Sequence, residues 1–210
     1  MVEASTRAHG DLTPLEMVRD GSETLTQFAY RAIRSDIIRG VRAPGERLRI
    51  DRLKQIYEIG PTPIREALQK LNAEQLVLSE GNRGFTVAPL DAEEFRDLNV
   101  ARTEVELAAL RLSMEKGDAA WEARVVAASY IMNKEDAALA NQASVPDSWE
   151  CANAAFHTAM VDACGSKWLL RTRDTLQDLC ERYRRASVRH NRGGRDLAGE
   201  HAGIAEAVLA

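Results

Sequence analysis

The run GERLRIDRLKQIYEIGPTPIREALQKLNAEQLVLSEGNRGF, residues 45–85, decides the fold: two short helical patterns meet at a tight break, and a Gly-flanked hairpin follows. In the second pattern Ile64, Ala67, Leu68 and Leu71 recur at i, i+3, i+4 and i+7 and predict a buried stripe. Thr62, Arg65, Glu66 and Gln69 fall on the opposite face. Pro61 suits the first helical position, and Pro63 still lies in the first turn, whose N–H groups have no partner inside the helix. The two prolines therefore fix where this helix starts, predicted to run over 61–74. A helix that presents Thr, Arg and Gln at a defined N-terminus suits the major groove of DNA, where Arg reads guanine and Gln reads adenine. The competing reading is an ordinary solvated face.

Working outward, residues 76–79 and 85–88 predict the two strands of a small wing, joined around Gly81-Asn82-Arg83-Gly84 with Arg83 at the tip. Gly and Asn stand there because a tight hairpin needs positive φ. An Arg at that tip can enter or flank the minor groove, or simply be a solvated turn residue. Arg49 and Arg52 are placed to touch phosphates, which would position the protein without specifying sequence. Upstream, Leu25, Phe28, Ala29, Ala32, Ile33 and Ile37 predict a helix ending at Arg39, with Gly40 as its stop. Leu48 and Ile50 flank a short extended piece, and Asp51 is the expected cap of the next helix. Residues 1–22 mix Gly, Pro and charge without periodicity and read as a flexible tail.

Charge follows the same division. The chain carries −4 over 210 residues, yet residues 24–90 hold 11 Lys and Arg against 7 Asp and Glu, so the helix-turn-helix stretch is basic within an acidic protein. That is the balance phosphate binding requires. No stretch approaches the ~20 consecutive apolar residues a membrane span needs, so no membrane association and a cytoplasmic location are expected. Cys151, Cys164 and Cys180 lack CxxC spacing and make an odd set, which argues against a disulfide framework or a cysteine zinc site.

After Pro89-Leu90-Asp91 strand signals vanish, and helices are expected at about 92–116, 119–141, 147–164, 167–189 and from 195 onward. The predicted class is therefore mostly α: a winged helix-turn-helix over 23–89 with a two-stranded wing, then an all-helical bundle over 90–210. The last apolar pattern, Ile204, Val208 and Leu209, stops at Ala210 within its stripe, as expected of a bundle that lacks its last helix. Trp121, Trp149 and Trp168 read as core.

Residues IIRGVRAPGERL, TPIREALQKL and LVLSEGNRGFTV, followed by ARTEVELAAL, NAAFHTAMVDACGSKWLL and GEHAGIAEAVL, resemble a GntR-type transcription regulator of the FadR branch over residues 25–210. That resemblance implies a homodimer whose first half binds double-stranded operator DNA, usually as a repressor. It implies that the second half binds a small carboxylic acid, often beside a divalent metal ion such as zinc. The stretch 149–184 looks closest to regulators of carbon-starvation and dicarboxylate metabolism. Two positions depart from the family. Pro61 stands where members usually carry Arg before the TP of the recognition helix. The family's metal-ligand pattern of Asp four residues before a His, then two further His, falls here on Asn153, His157 and His201, and the chain ends before the third His.

Read from the residues alone, Asn153 and His157 lie one helical turn apart and can share a ligand, or be a helix-terminal Asn and a core His. Arg102 and Glu106, at i and i+4, form either an exposed pair or, if Arg102 turns inward, a planar fork for the carboxylate of an effector. The resemblance adds His201 to this effector site and makes Asn153, His157 and His201 the candidate metal ligands. The alternative class is a metal-dependent enzyme in a helical bundle, but no HExxH helix or activated nucleophile supports it; an enzyme is not expected.

Overall fold

A computed structural model of the chain describes residues 19–79, 81, 84–139, 145–188 and 196–210. Most of the expected tail, the wing tip with Asn82 and Arg83, and the break around 192–195 lie outside the described residues. The described residues form two compact units, one within 19–92 with 181–185 and the other within 93–180 with 186–210.

The first unit opens with α1 (Leu25–Ile38), started by a capping box in which Thr24 Oγ1 accepts from Gln27 N–H and the Gln27 side chain accepts from Thr24 N–H. A short strand β1 (Arg47–Leu48) leads into α2 (Ile50–Tyr57) and α3 (Pro61–Ala73). The break between those helices is made by Glu58, whose backbone turns left-handed at φ 54°. β2 (Val77–Ser79) and β3 (Phe85–Val87) form the wing hairpin, with Gly81 and Gly84 at φ 57° and 92° beside its tip. The three strands form an antiparallel sheet in the order β1-β3-β2, pairing Leu48 with Phe85 and Val77 with Val87. The expected two-stranded wing thus gains a third strand, the extended piece before α2.

The cap of α2 also differs from expectation. Arg49 occupies the N-cap position without a side-chain hydrogen bond, and Asp51 lies inside the first turn. The end of β1 runs straight into the helix, so its last extended residue takes the cap position. Asp51 still favours the helix by placing negative charge near its N-terminus.

All four members of the α3 stripe, Ile64, Ala67, Leu68 and Leu71, are fully buried, and α3 packs on α1 and α2, whose Ala29, Ile33 and Leu53 are buried as well. Burying one such aliphatic side chain stabilises the fold by ~1.5–3 kcal/mol. This stripe seats the helix and turns its polar face outward.

The second unit is helical: α4 (Ala92–Lys116), α5 (Ala119–Leu139), α6 (Asp147–Val161), α7 (Lys167–Val188) and α8 (Leu197–Leu209). Asp118 caps α5 by accepting the N–H of Trp121 at 2.8 Å. Gly117 is required just before it, because a Cβ there would stand 2.1 Å from the Trp121 ring. Trp121, Val125, Met132, Trp149, Phe156 and Met160 form the centre of the core. Trp168 does not join it. Its neighbours Leu169 and Leu170 take the inward positions, so Trp168 is 75% exposed beneath the Arg171 guanidinium. Among the described residues no helix is long and apolar enough to cross a membrane.

Candidate nucleic-acid interface and effector site

In the first unit, Thr62, Arg65 and Gln69 are exposed along the outer face of α3, while Glu66 is tied back to α1 by the hydroxyl of Thr26 at 2.7 Å. Arg49 and Arg52 are exposed at the start of α2. Arg49, Arg65, Gln69 and Gly84 line one open groove of about 680 Å³, together with Arg47 and Ser79. The groove is bounded by α3 on one side and by β1 and the wing on the other. Thr62 and Arg52 lie outside its lining, and Arg83 falls outside the described residues. Arg47 was absent from the sequence reading. The extended residues before α2 held the signal, since a strand paired to the wing turns alternate side chains toward the same groove.

The first unit also holds a buried polar network. The Tyr57 hydroxyl donates to Asp36 Oδ2 at 2.6 Å, Arg42 Nε stands 3.8 Å from the same oxygen, and Arg42 donates to Glu46 at 3.1 Å. Burial pushes the Asp36 carboxyl above the ordinary carboxylate range, against the pull of Tyr57 and Arg42. Burial, reinforced by the Asp36 charge, also raises the Tyr57 phenol. The network joins the end of α1 to the end of α2 and holds the helix that precedes α3.

The second unit brings Asn153, His157 and His201 together. The His157 and His201 rings are 5.9 Å apart, and Phe156 meets each edge-on at 5.2 Å. Asn153 and His201 are buried and His157 is half-buried. His201 Nδ1 lies 2.7 Å from Asp136 Oδ2, and Trp149 Nε1 donates to Asp136 Oδ1 at 2.7 Å. An ionised carboxylate only accepts, so it fixes Nδ1 as the protonated ring nitrogen and leaves Nε2 for another group. Among the described residues neither that Nε2 nor the Asn153 amide has a hydrogen-bond partner.

Arg102 is half-buried and does not pair with Glu106. It donates to Gln177 on α7 at 2.8 Å, while Glu106 is taken by Arg173, whose Nε and Nη2 both stand 3.2 Å from Glu106 Oε1. Arg173 is 2% exposed and also donates to the Thr158 hydroxyl, one residue beyond His157. Sequence reasoning missed Asp136, Trp149 as a polar partner, and Arg173. Asp136 sits within a charged run, KED, that reads as solvated, and Arg173 sits among other arginines; only tertiary packing separates them from their neighbours.

The candidate metal ligands amount to two imidazoles and one neutral amide. Among the described residues no group of three His, Cys, Asp or Glu is placed to hold a metal ion. Zinc sites use four ligands, or three with an open position, drawn from thiolate, imidazole and carboxylate. The residues present do not fit a tightly held zinc ion.

A basic groove formed by a polar helix face and a wing, joined in one chain to a helical unit with a buried polar cluster, defines the class of winged-helix transcription regulators with a C-terminal helical domain. Residues 25–87 match the gntR family of bacterial regulatory proteins, and residues 97–210 match the FCD domain. The chain belongs to the gntR family and carries an FCD domain; it is a DNA-binding transcription regulator, not an enzyme. It is 38% identical over 192 residues to the HTH-type transcriptional repressor GlaR of Escherichia coli K12, covering 89% of this chain and 87% of that protein. It is 36% identical over 205 residues to BphR of Paraburkholderia xenovorans LB400, described as an uncharacterized HTH-type transcriptional regulator, covering 97% of this chain and 83% of that one. Among solved structures, E. coli McbR/YncC superimposes with a TM-score of 0.67 at 19% identity, covering 89% and 86% of the two chains, a likeness of fold alone.

Proposed function

We propose that this regulator is a homodimeric repressor acting in the cytoplasm, and that its helical unit binds a small carboxylic acid which changes how its two heads engage operator DNA. The α3 face and the groove beside it supply direct readout by Arg65 and Gln69. Arg49, Arg52 and the wing supply phosphate or minor-groove contacts. Two heads must meet half-sites on one face of the duplex, so a small change in their spacing exchanges two simultaneous engagements for one. The acid switches the regulator only if it binds the two arrangements with different affinity. The repressor name of the E. coli relative supports the direction of control.

One observation carries the effector assignment: the Asn153 amide, on the same helix as His157, and His201 Nε2, whose ring lies 5.9 Å from that of His157, belong to buried residues and have no hydrogen-bond partner among the described residues. Buried polar groups are almost always satisfied, so a polar ligand with both donor and acceptor atoms suits this place. No step in this reading passes through a metal.

The test is a gel shift on a palindromic promoter fragment, with a panel of short mono- and dicarboxylates added to the complex and to the free protein. Specific DNA binding, its modulation by one acid, and thermal stabilisation by the same acid are expected; a ligand at 100 times its Kd stabilises by ~2.7 kcal/mol. Stabilisation by none of the acids would remove the effector assignment and leave the DNA reading intact.

A further inference from the structure

α4 carries apolar residues on both of its sides. Its inner side holds Ala109, Leu110 and Leu112 against the core, as a surface helix requires. Its outer side should then be polar, yet Val100, Leu107 and Met114 lie there, 64%, 40% and 49% exposed. Their spacing is seven residues, so they fall within about 40° of one another on the outward face of a straight helix with 3.6 residues per turn. A helix that is apolar on opposite faces is covered on both.

Glu104 and Arg111 flank this row on one side, both exposed and without a partner among the described residues. They too are seven residues apart, too far along the helix to reach each other. In an antiparallel pair of identical helices centred between residues 107 and 108, however, Glu104 of one copy stands opposite Arg111 of the other, and the same pair forms again across the two-fold axis. The Leu107 side chains meet at the centre. In a parallel pair the two-fold would carry these residues to opposite flanks of the seam, where neither Glu104 nor Arg111 meets an opposite charge of this set. The charge pattern is thus self-complementary in one orientation only, the property an isologous interface needs.

We propose that the outer face of α4 is a dimer interface, with a second copy of this chain packed antiparallel along Val100, Leu107 and Met114 and fixed in register by reciprocal Glu104–Arg111 pairs. This rests on the homodimer reading above and adds the surface and the orientation. Val126, Tyr130 and Ile131 on α5 are also exposed, but there Lys134 sits over the Tyr130 ring of its own chain.

The test is sedimentation velocity on the full chain and four variants, each checked by circular dichroism. Leu107→Asp is expected to weaken the dimer ~100-fold or more, as loss of a central apolar anchor does, and Val126→Asp to leave it unchanged. Glu104→Arg and Arg111→Glu should each weaken self-association, the first by placing like cations across the axis and the second like anions. A 1:1 mixture of those two variants should recover wild-type association, because every facing pair is then complementary. A role confined to one chain could not produce that rescue in trans. Single charge reversals without effect, a mixture that fails to recover, or loss through Val126→Asp with Leu107→Asp neutral would each overturn the interface. A wild-type chain that stays monomeric would instead overturn the homodimer reading itself, and the interface with it.

Discussion

The two units place their functional groups in opposite surroundings. On α3 the apolar side is sealed and the polar side chains Thr62, Arg65 and Gln69 reach into solvent. Around α6 the polar groups themselves are inside: Asn153 and His201 are buried, and His201 is anchored by Asp136, which Trp149 anchors in turn. In the first unit recognition is separable from folding, because removing an exposed side chain leaves the stripe beneath it untouched. In the second the same side chains serve the core and the candidate site, so a change at one disturbs both. A DNA surface must meet a large rigid partner from outside. The small acid proposed for the second unit would have to be surrounded.

The sharpest way to break this contrast is Asp136→Ala. It removes the acceptor from two donors, Trp149 Nε1 and His201 Nδ1, and a hydrogen bond to a charged group contributes ~1.5–3 kcal/mol. Chemical denaturation should show that loss in the helical unit, and thermal shift should show no response to any carboxylate that stabilises the wild type. Unchanged stability would mean that Asp136 does not anchor His201.

Arg65→Ala probes the other side of the comparison. Specific operator affinity should fall by ~1–3 kcal/mol per half-site and discrimination at one base position should relax. The unfolding midpoint should stay within experimental error, since Arg65 is exposed and Ile64, Ala67 and Leu68 are untouched. Full sequence-specific affinity in a gel shift would remove α3 from the recognition account.

What could be read from the sequence divides along the same line. The α3 stripe, the proline-defined start at Pro61 and the glycines beside the wing tip were legible because local periodicity and backbone requirements dictate them. The exposed face followed by elimination. In the helical unit the helices were legible from period and breaks, but the wiring of the cluster was not. Nothing local tells that Asp136 turns inward while Glu135 and Lys134 do not, or that Arg173 rather than Arg102 takes Glu106, because these choices are made by helices far apart in the chain. Trp168 shows the same limit, as its exposure depends on which side of α7 meets the core.

Tyr57→Phe brings the buried-polar logic into the first unit. It removes the 2.6 Å hydrogen bond to Asp36, and a bond to a charged group contributes ~1.5–3 kcal/mol. The pH dependence has a definite sign. Both groups have folded values raised above their ordinary ones of 3.8 and 10.0, so the folded chain holds these protons more tightly and stability falls as pH rises. The Asp36 contribution is present below pH 3.8 and lost as pH climbs through its raised value. The Tyr57 contribution is lost above pH 10, where the unfolded chain ionises first. Denaturant titrations across pH should find the alkaline component in the wild type and not in Tyr57→Phe. An equal alkaline slope in both proteins would place Tyr57 outside the network.

Arg49→Ala is expected to do least, and in a different way from Arg65→Ala. Arg49 lies in the groove beside Arg65, but at the N-cap of α2, where its exposed guanidinium suits a phosphate oxygen better than a base edge. A phosphate contact contributes affinity without sequence information, and releases about one counterion. Binding to specific and nonspecific DNA should therefore weaken in the same proportion, and the slope of log affinity against log salt should become shallower by ~1 per head. Fluorescence anisotropy over a range of salt, on operator and scrambled duplexes, separates the possibilities. A loss confined to the operator would make Arg49 a base reader and widen the recognition surface beyond α3, whereas an unchanged slope would leave the groove's phosphate contacts to Arg47, Arg52 and the wing.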